Sequence, residues 1–326
     1  MALIDTFGRR INYLRLSVTD RCNFRCTYCM PAGGVQKLSH CDILSYADLL
    51  RISTQAVAAG IEKIRVTGGE PLVRKGIVQF LALLSQLPGL KELVLTTNGL
   101  LLAEMAQGLR DAGVQRLNIS LDSLNPETFA KVTRGGDLQR VLDGIRVAEE
   151  VGFPPHKINV VVMRGVNDGE ILDFARLTLE RPYSVRFIEY MPTSGDGDWR
   201  DLCVPGSEII ERISREYAIE EGSSSARSGP SRNFRVAGAQ GSLGIITPMT
   251  GHFCDACNRL RVTASGMAKS CLFSGGGVDL RPFLATGDDT ILQAEIRRIV
   301  AGKPGRHQMA EKGEDPTPFA MSGVGG

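Results

Sequence analysis

From Tyr13 onward, short runs of apolar and β-branched residues alternate with longer stretches whose apolar positions recur every three to four residues. Residues 13–18, Tyr-Leu-Arg-Leu-Ser-Val, keep a period of two that puts Arg15 and Ser17 on one face of a strand. Ser45 and Asp48 form a capping-box pattern ahead of a helix with Leu49, Ile52, Ala56 and Val57 on one stripe and Gly60 as its stop. The same unit then recurs. Strands are predicted over residues 61–67, 91–97, 116–121, 157–163 and 184–191. Helices are predicted over 75–87, 101–112, 138–151 and 168–181, and Asn125-Pro126 opens another helical region.

Near-continuous apolar strands separated by single helices imply a parallel sheet with right-handed crossovers. Six strand-helix units predict an α/β fold, a partial (β/α)6 barrel of the TIM type, whose ligands gather at the C-terminal ends of the strands. Small or polar residues stand at those ends: Gly68-Gly69-Glu70-Pro71, Thr96-Thr97-Asn98-Gly99, Ser120-Leu121-Asp122-Ser123 and Met191-Pro192-Thr193. Beyond Pro192 the alternation stops. A helix over 207–217, a Gly/Ser-rich stretch at 221–231 that reads as a flexible linker or loop, strand-like pieces at 233–236 and 242–247, and a helix over 288–302 predict a C-terminal α+β extension. The expected division is 1–195 for the barrel and 196–326 for the extension.

Composition narrows the function. Hydrophobic content of 43% and charged content of 23% are those of an ordinary globular protein. A net charge of +2 argues against a general nucleic-acid binder. No run of about 18 apolar residues is present, so no membrane span is expected. The first ten residues lack the pattern of a signal peptide, so a cytoplasmic location is expected, where thiols serve as ligands more readily than as disulfides. With only His40, His156, His252 and His307, no histidine-rich site suggests a hydrolase.

The chemistry concentrates in the cysteines. Cys22, Cys26 and Cys29 form a Cys-x3-Cys-x2-Cys run on the loop after the first strand. Three soft sulfur ligands favour an iron-sulfur cluster, zinc or cuprous copper. With three ligands, a cube of four irons keeps one iron open for a chelating molecule, whereas His40 or Cys41 as a fourth ligand would close a structural zinc site. A second trio, Cys254, Cys257 and Cys271, allows the same two readings, with His252 as the candidate fourth ligand. Cys41 and Cys203 otherwise read as small core or loop residues. Between Cys257 and Cys271, Arg259 and Arg261 alternate onto one face of an extended segment and suit phosphate oxygens.

The cysteine run, with Tyr28 just before its last cysteine, resembles the signature of the radical S-adenosylmethionine (SAM) superfamily. Gly-Gly-Glu-Pro, Cys254-x2-Cys257-Asn-Arg-Leu-Arg, Cys271 and the terminal Gly325-Gly326 narrow the resemblance to its GTP 3',8-cyclase family, over about residues 5–326. The resemblance implies a 4Fe-4S cluster on Cys22, Cys26 and Cys29 with SAM on its open iron, contacted by Tyr28, Gly69, Ser120 and Met191. It implies a second 4Fe-4S cluster on Cys254, Cys257 and Cys271 that binds the guanine of GTP. Arg15, Arg65, Thr96, Lys157, Arg259 and Arg261 match the family's GTP contacts, and the Gly-Gly tail would reach into the active site. It further implies radical cyclisation of GTP at the ribose 3' carbon and guanine C8, a reductant protein, a downstream cyclic pyranopterin monophosphate synthase and a homodimer. A peptide-modifying radical SAM maturase and a zinc-stabilised interaction protein are the rival readings.

Overall fold

All six N-terminal strands form within a few residues of their expected bounds: β1 (Tyr13–Ser17), β2 (Lys63–Thr67), β3 (Glu92–Thr97), β4 (Arg116–Ser120), β5 (Lys157–Val162) and β6 (Ser184–Glu189). The computed structural model describes residues 2–192, 199–222, 229–251, 253–274, 276–307 and 321–325. Between the strands run α1 (Tyr46–Ala59), α2 (Ile77–Ser85), α3 (Leu102–Asp111), α4 (Pro126–Thr133), α5 (Leu138–Glu150) and α6 (Ile171–Glu180). The start of α1 is the capping box read from the sequence. Ser45 Oγ accepts from the Asp48 amide at 3.1 Å while the Asp48 carboxylate accepts from the Ser45 amide at 3.3 Å. Gly60, at φ 127°, ends the helix in a conformation that disfavours any side chain. Asn125 Oδ1 caps α4 by accepting from the Glu127 and Thr128 amides, with Pro126 at the first helical position.

The C-terminal part contributes α7 (Trp199–Leu202), α8 (Gly206–Glu216), β7 (Ile219–Gly222), β8 (Arg232–Val236), β9 (Ser242–Ile246), β10 (Arg259–Val262), β11 (Met267–Lys269), β12 (Val278–Asp279), α9 (Arg281–Ala285), α10 (Asp289–Ala301) and α11 (Met321–Val324). Its strands do not form a separate sheet. The single sheet has the order β12-β11-β10-β1-β2-β3-β4-β5-β6-β9-β8-β7. β10 pairs parallel with β1, aligning Tyr13 with Arg259 and Arg15 with Arg261. β9 pairs parallel with β6, aligning Ser184 with Ser242. The six expected parallel strands are therefore extended to eight, because the open edges of β1 and β6 would otherwise leave rows of backbone groups unpaired. Of the two readings of the stretch at 221–231, flexible linker or loop, the loop holds. β7 and β8 pair antiparallel across it, so it joins a hairpin, and residues 223–228 lie outside the described residues.

The core lies between the strands and the helical ring. Leu14, Leu16, Ile64, Val66, Leu95 and Ile119 are buried with Leu49, Ile52, Phe80 and Leu109 from the surrounding helices. α10 packs on α1, where Arg51 Nε meets the Asp289 carboxylate at 2.6 Å. Opposite side chains on the strands point inward and are largely polar, which sets up the site. Among the described residues no helix is long and apolar enough to cross a membrane.

Candidate functional site

A cavity of about 250 Å³ opens at the C-terminal ends of the strands, and all six cysteines of the two trios line it. The first trio sits on the loop leaving β1. That loop is built against the Gly-Gly-Glu-Pro turn after β2: the Gly69 amide donates to Thr19 O at 2.7 Å and the Glu70 amide to Arg21 O at 2.8 Å. A Cβ on Gly69 would stand 2.4 Å from Arg21 O, so the close approach of these two backbones is the physical reason for glycine there. The family resemblance makes Gly69 a SAM contact, but the packing of the loop demands glycine there in any case.

Glu70 is buried beneath this turn. Its carboxylate accepts from the Leu72 amide (3.1 Å), Thr97 Oγ1 (2.9 Å) and the Asn98 amide (2.8 Å), locking the β2 and β3 loops together. Burial nevertheless pushes its pKa up to about 7, against those three donors. Asn98 Nδ2 in turn reaches Cys22 Sγ at 3.9 Å and Asn23 Oδ1 at 2.7 Å. Burial raises the Cys22 thiol to about 11 and holds the Cys26 thiol well above its ordinary value, the latter also through Asp122 and the other two cysteines. Tyr28 donates to the buried Asp122 carboxylate at 2.8 Å, whose other oxygen accepts from the Val161 amide.

These thiols fit a cation-bearing group that would hold them ionised, and three sulfurs around one cavity are the donor set of a 4Fe-4S cluster. Among the described residues no three His, Cys, Asp or Glu side chains form a group fit for a single metal ion. His40 Nε2, considered as a fourth zinc ligand, lies 3.0 Å from Arg21 Nη2, and Cys41 Sγ lies 2.9 Å from Ser39 Oγ. His252 lies outside the described residues.

Deeper in the barrel the inward positions of adjacent strands carry guanidiniums. Arg261, Arg15 and Arg65 stand in register on β10, β1 and β2, with Arg259 one inward position earlier and Arg186 across the barrel on β6. The two carboxylates lining the cavity, Glu70 and Asp122, belong to the first cysteine loop's surroundings and are engaged by protein donors. Burial and the neighbouring cations push Arg261 down to about 9 and Arg186 to about 10, and Arg15 is lowered by burial, Arg261 and Arg65. With the Asn118 amide turned to present its oxygen, Arg65 Nη2 donates to it at 2.8 Å. Arg15 Nε, Arg186 Nε, Arg261 Nη1 and Thr96 Oγ1 are buried with no protein partner. Buried cations without counter-charges are costly, so this interior fits a multiply charged anion such as a triphosphate.

The second trio lines the same cavity as the first. Cys254 and Cys257 lie on the short turn just before β10, and the β10-β11 hairpin returns Cys271 to the same cavity, as the spacing suggested. Burial raises the Cys257 thiol, but Arg259 and Lys303 outweigh it and hold the thiol at about 6. Lys303 Nζ is fixed by Arg259 O at 3.0 Å and by Ser270 O. The C-terminal tail also arrives here: Gly325 O accepts from Arg15 Nη2 at 3.0 Å, and a Cβ on Gly325 would press on Thr67 Oγ1 and Ser17 Cβ. Gly326 lies outside the described residues.

Of the residues singled out from sequence, Tyr28, Gly69, Ser120, Met191, Arg15, Arg65, Thr96, Arg259 and Arg261 line the one cavity with both trios. Thr96 and not Thr97 has the free hydroxyl, since Thr97 Oγ1 is spent on Glu70. Lys157 is the exception. It stands at the first position of β5, outside the lining, where burial and Arg186, Lys63, Arg65 and Arg116 push it down to about 6. Arg186 and Asn159 line the cavity and were missed. The period-two alternation of β6 carried the signal for Arg186, but a single inward arginine in an apolar strand has no motif around it.

Comparison with known proteins gives two family matches: the radical SAM superfamily over residues 16–178 and Molybdenum Cofactor Synthesis C over residues 183–309. The chain is 65% identical over its full length, and that of its relative, to a GTP 3',8-cyclase of Geobacter sulfurreducens. It is 48% identical to that of Moorella thermoacetica, over 99% of each chain. Among solved structures, SuiB of Streptococcus suis bound to S-adenosylmethionine matches with a TM-score of 0.65 at 15% identity, covering 96% of this chain and 77% of SuiB. That last likeness concerns the fold alone.

Proposed function

Because the chain belongs to the GTP 3',8-cyclase family of radical SAM enzymes, we propose that the cavity between its two cysteine trios is the active site, with SAM at the first trio and GTP reaching from the second into the arginine-lined interior. The enzyme is a lyase that rearranges GTP into (8S)-3',8-cyclo-7,8-dihydroguanosine 5'-triphosphate, the first step of molybdenum cofactor biosynthesis. Two 4Fe-4S clusters and SAM are the cofactors of this family, and when bound they supply the one-electron chemistry. The observation that carries the site assignment is the set of buried, unpartnered guanidinium and hydroxyl donors lying in one cavity with both thiol trios.

In this reading Cys22, Cys26 and Cys29 hold the first cluster, and Cys254, Cys257 and Cys271 hold the second. Tyr28, Gly69, Ser120 and Met191 contact SAM. Arg15, Arg65, Arg259 and Arg261 bind the triphosphate by paired charge-assisted hydrogen bonds, with Arg186 opposite them. Thr96 Oγ1 offers a further polar contact, while Lys157, which the family resemblance assigns to GTP, stands outside the lining at the start of β5. The barrel wall keeps water from the reacting sugar, and the Gly325 carbonyl orients Arg15. Residues 1–195 carry the SAM half and 196–326 the auxiliary half. A cytoplasmic location, a reductant protein, a homodimer and a cyclic pyranopterin monophosphate synthase that accepts the product complete the reading.

The test is iron, sulfide and zinc analysis of anaerobically purified protein, beside a variant with Cys254, Cys257 and Cys271 all changed to Ala. About eight irons falling to about four is the expected result. Stoichiometric zinc with little iron would overturn it, and GTP turnover with SAM then checks the activity directly.

A further inference from the structure

Thr133 ends α4 and touches the cavity wall, and together with the turn Arg134-Gly135-Gly136 that follows, which lies outside the lining, it grips the first cysteine loop. Arg134 is, among the described residues, the one non-glycine in the left-handed region, at φ 56° and ψ 56°. Its backbone thereby turns at the end of α4, and its guanidinium is directed at the cysteine loop. A single nitrogen, Nη1, donates to Arg25 O and to Met30 O, both at 2.9 Å, tying together the two ends of the segment that contains Cys26 and Cys29. The backbone of the same turn adds two more ties: Arg25 N donates to Thr133 O at 3.1 Å and Thr27 N to Val132 O at 2.9 Å.

Gly136 completes the cradle. A Cβ there would lie 2.5 Å from Thr133 Oγ1 and 3.0 Å from the rings of both Phe129 and Phe24. Phe24 sits inside the cysteine run and packs edge-on against Phe129 of α4, with ring centroids 6.0 Å apart. Thr133 Oγ1 accepts from the Gly136 amide at 2.9 Å and holds the turn shut.

We propose that Arg134 is a positioning residue for the first cluster: its guanidinium closes the cysteine loop into the shape that presents Cys26 and Cys29 together. The left-handed backbone is what aims that guanidinium, so a residue that would be at ease as glycine is held as arginine for its side chain. Both contacts come from the one nitrogen Nη1, so what the loop needs at this point is a cationic nitrogen with two donors held between Arg25 O and Met30 O. The inference rests on the assignment of Cys22, Cys26 and Cys29 to the first cluster.

The test uses the full-length protein loaded anaerobically with both clusters, and compares wild type, Arg134→Gly, Arg134→Lys and a Cys22→Ala/Cys26→Ala/Cys29→Ala variant. Arg134→Gly keeps the backbone turn without strain, so its melting temperature should equal or exceed that of wild type. The expected result is release of about four irons to a chelator roughly tenfold faster than in wild type, while the irons held by Cys254, Cys257 and Cys271 are released at the wild-type rate. Arg134→Lys, whose ammonium keeps donors for the same two carbonyls, should restore release toward the wild-type rate and lie nearer to wild type than to Arg134→Gly. Equal chelator release of all irons from wild type and Arg134→Gly would overturn the role of Arg134. Retention of all irons by the triple-cysteine variant would overturn the cluster assignment itself, a separate outcome.

Discussion

Arg186 shows how a single side chain can enter a cavity without a motif around it. It is buried, its Nε has no protein partner, and neighbouring guanidiniums disfavour its charge. Changing it to Ala removes a charge-assisted contact worth about 1.5–3 kcal/mol to a bound triphosphate. GTP affinity measured by calorimetry should fall roughly 10- to 100-fold, while the melting temperature without GTP holds or rises, because an uncompensated buried cation is gone. His156 works through pH. It is wholly buried beside Tyr183, with ring centroids 6.1 Å apart, and burial lowers its pKa below the ordinary 6.5. The unfolded chain therefore binds the proton more readily than the folded one. The stability linked to His156 is present above pH 6.5 and is lost as pH falls below it. His156→Phe should show a smaller drop in melting temperature between pH 7.5 and pH 5.5 than wild type does.

Loops at the strand ends owe their shape to one another more than to their own composition. The Gly-Gly-Glu-Pro turn was legible as a motif, but its glycine is required by Arg21 O, a backbone atom of another loop that cannot move aside. Gly69→Ala should therefore cost about 1–3 kcal/mol of stability through overpacking. Its signature is a lower melting temperature of the apo protein together with poorer iron loading, which separates a distorted loop from a lost ligand contact. The capping box of α1 is the contrasting case. Ser45, Asp48 and Gly60 are neighbours in the chain, so their hydrogen bonds are fixed by spacing alone and appear where the sequence puts them.

The whole sheet is held together by its two halves. β9 and β10, from the C-terminal part, cover the edges of β6 and β1. Residues 1–195 expressed alone should expose both edges and elute from size-exclusion chromatography as aggregate, whereas the full chain elutes as a discrete species. The chain order of strands and helices, the parallel barrel, the two cysteine trios and the facing Arg259 and Arg261 were all readable beforehand, because each depends on local periodicity or short spacing. The C-terminal strands joining the same sheet were not, since β10 meets β1 from some 245 residues away in sequence. Nor were Arg186 in the anion site, the Arg15 contact with the Gly325 carbonyl, or the Arg134 clamp on the cysteine loop. Those depend on which edges remain unpaired and which buried donors converge, and only the closed packing of distant segments decides both.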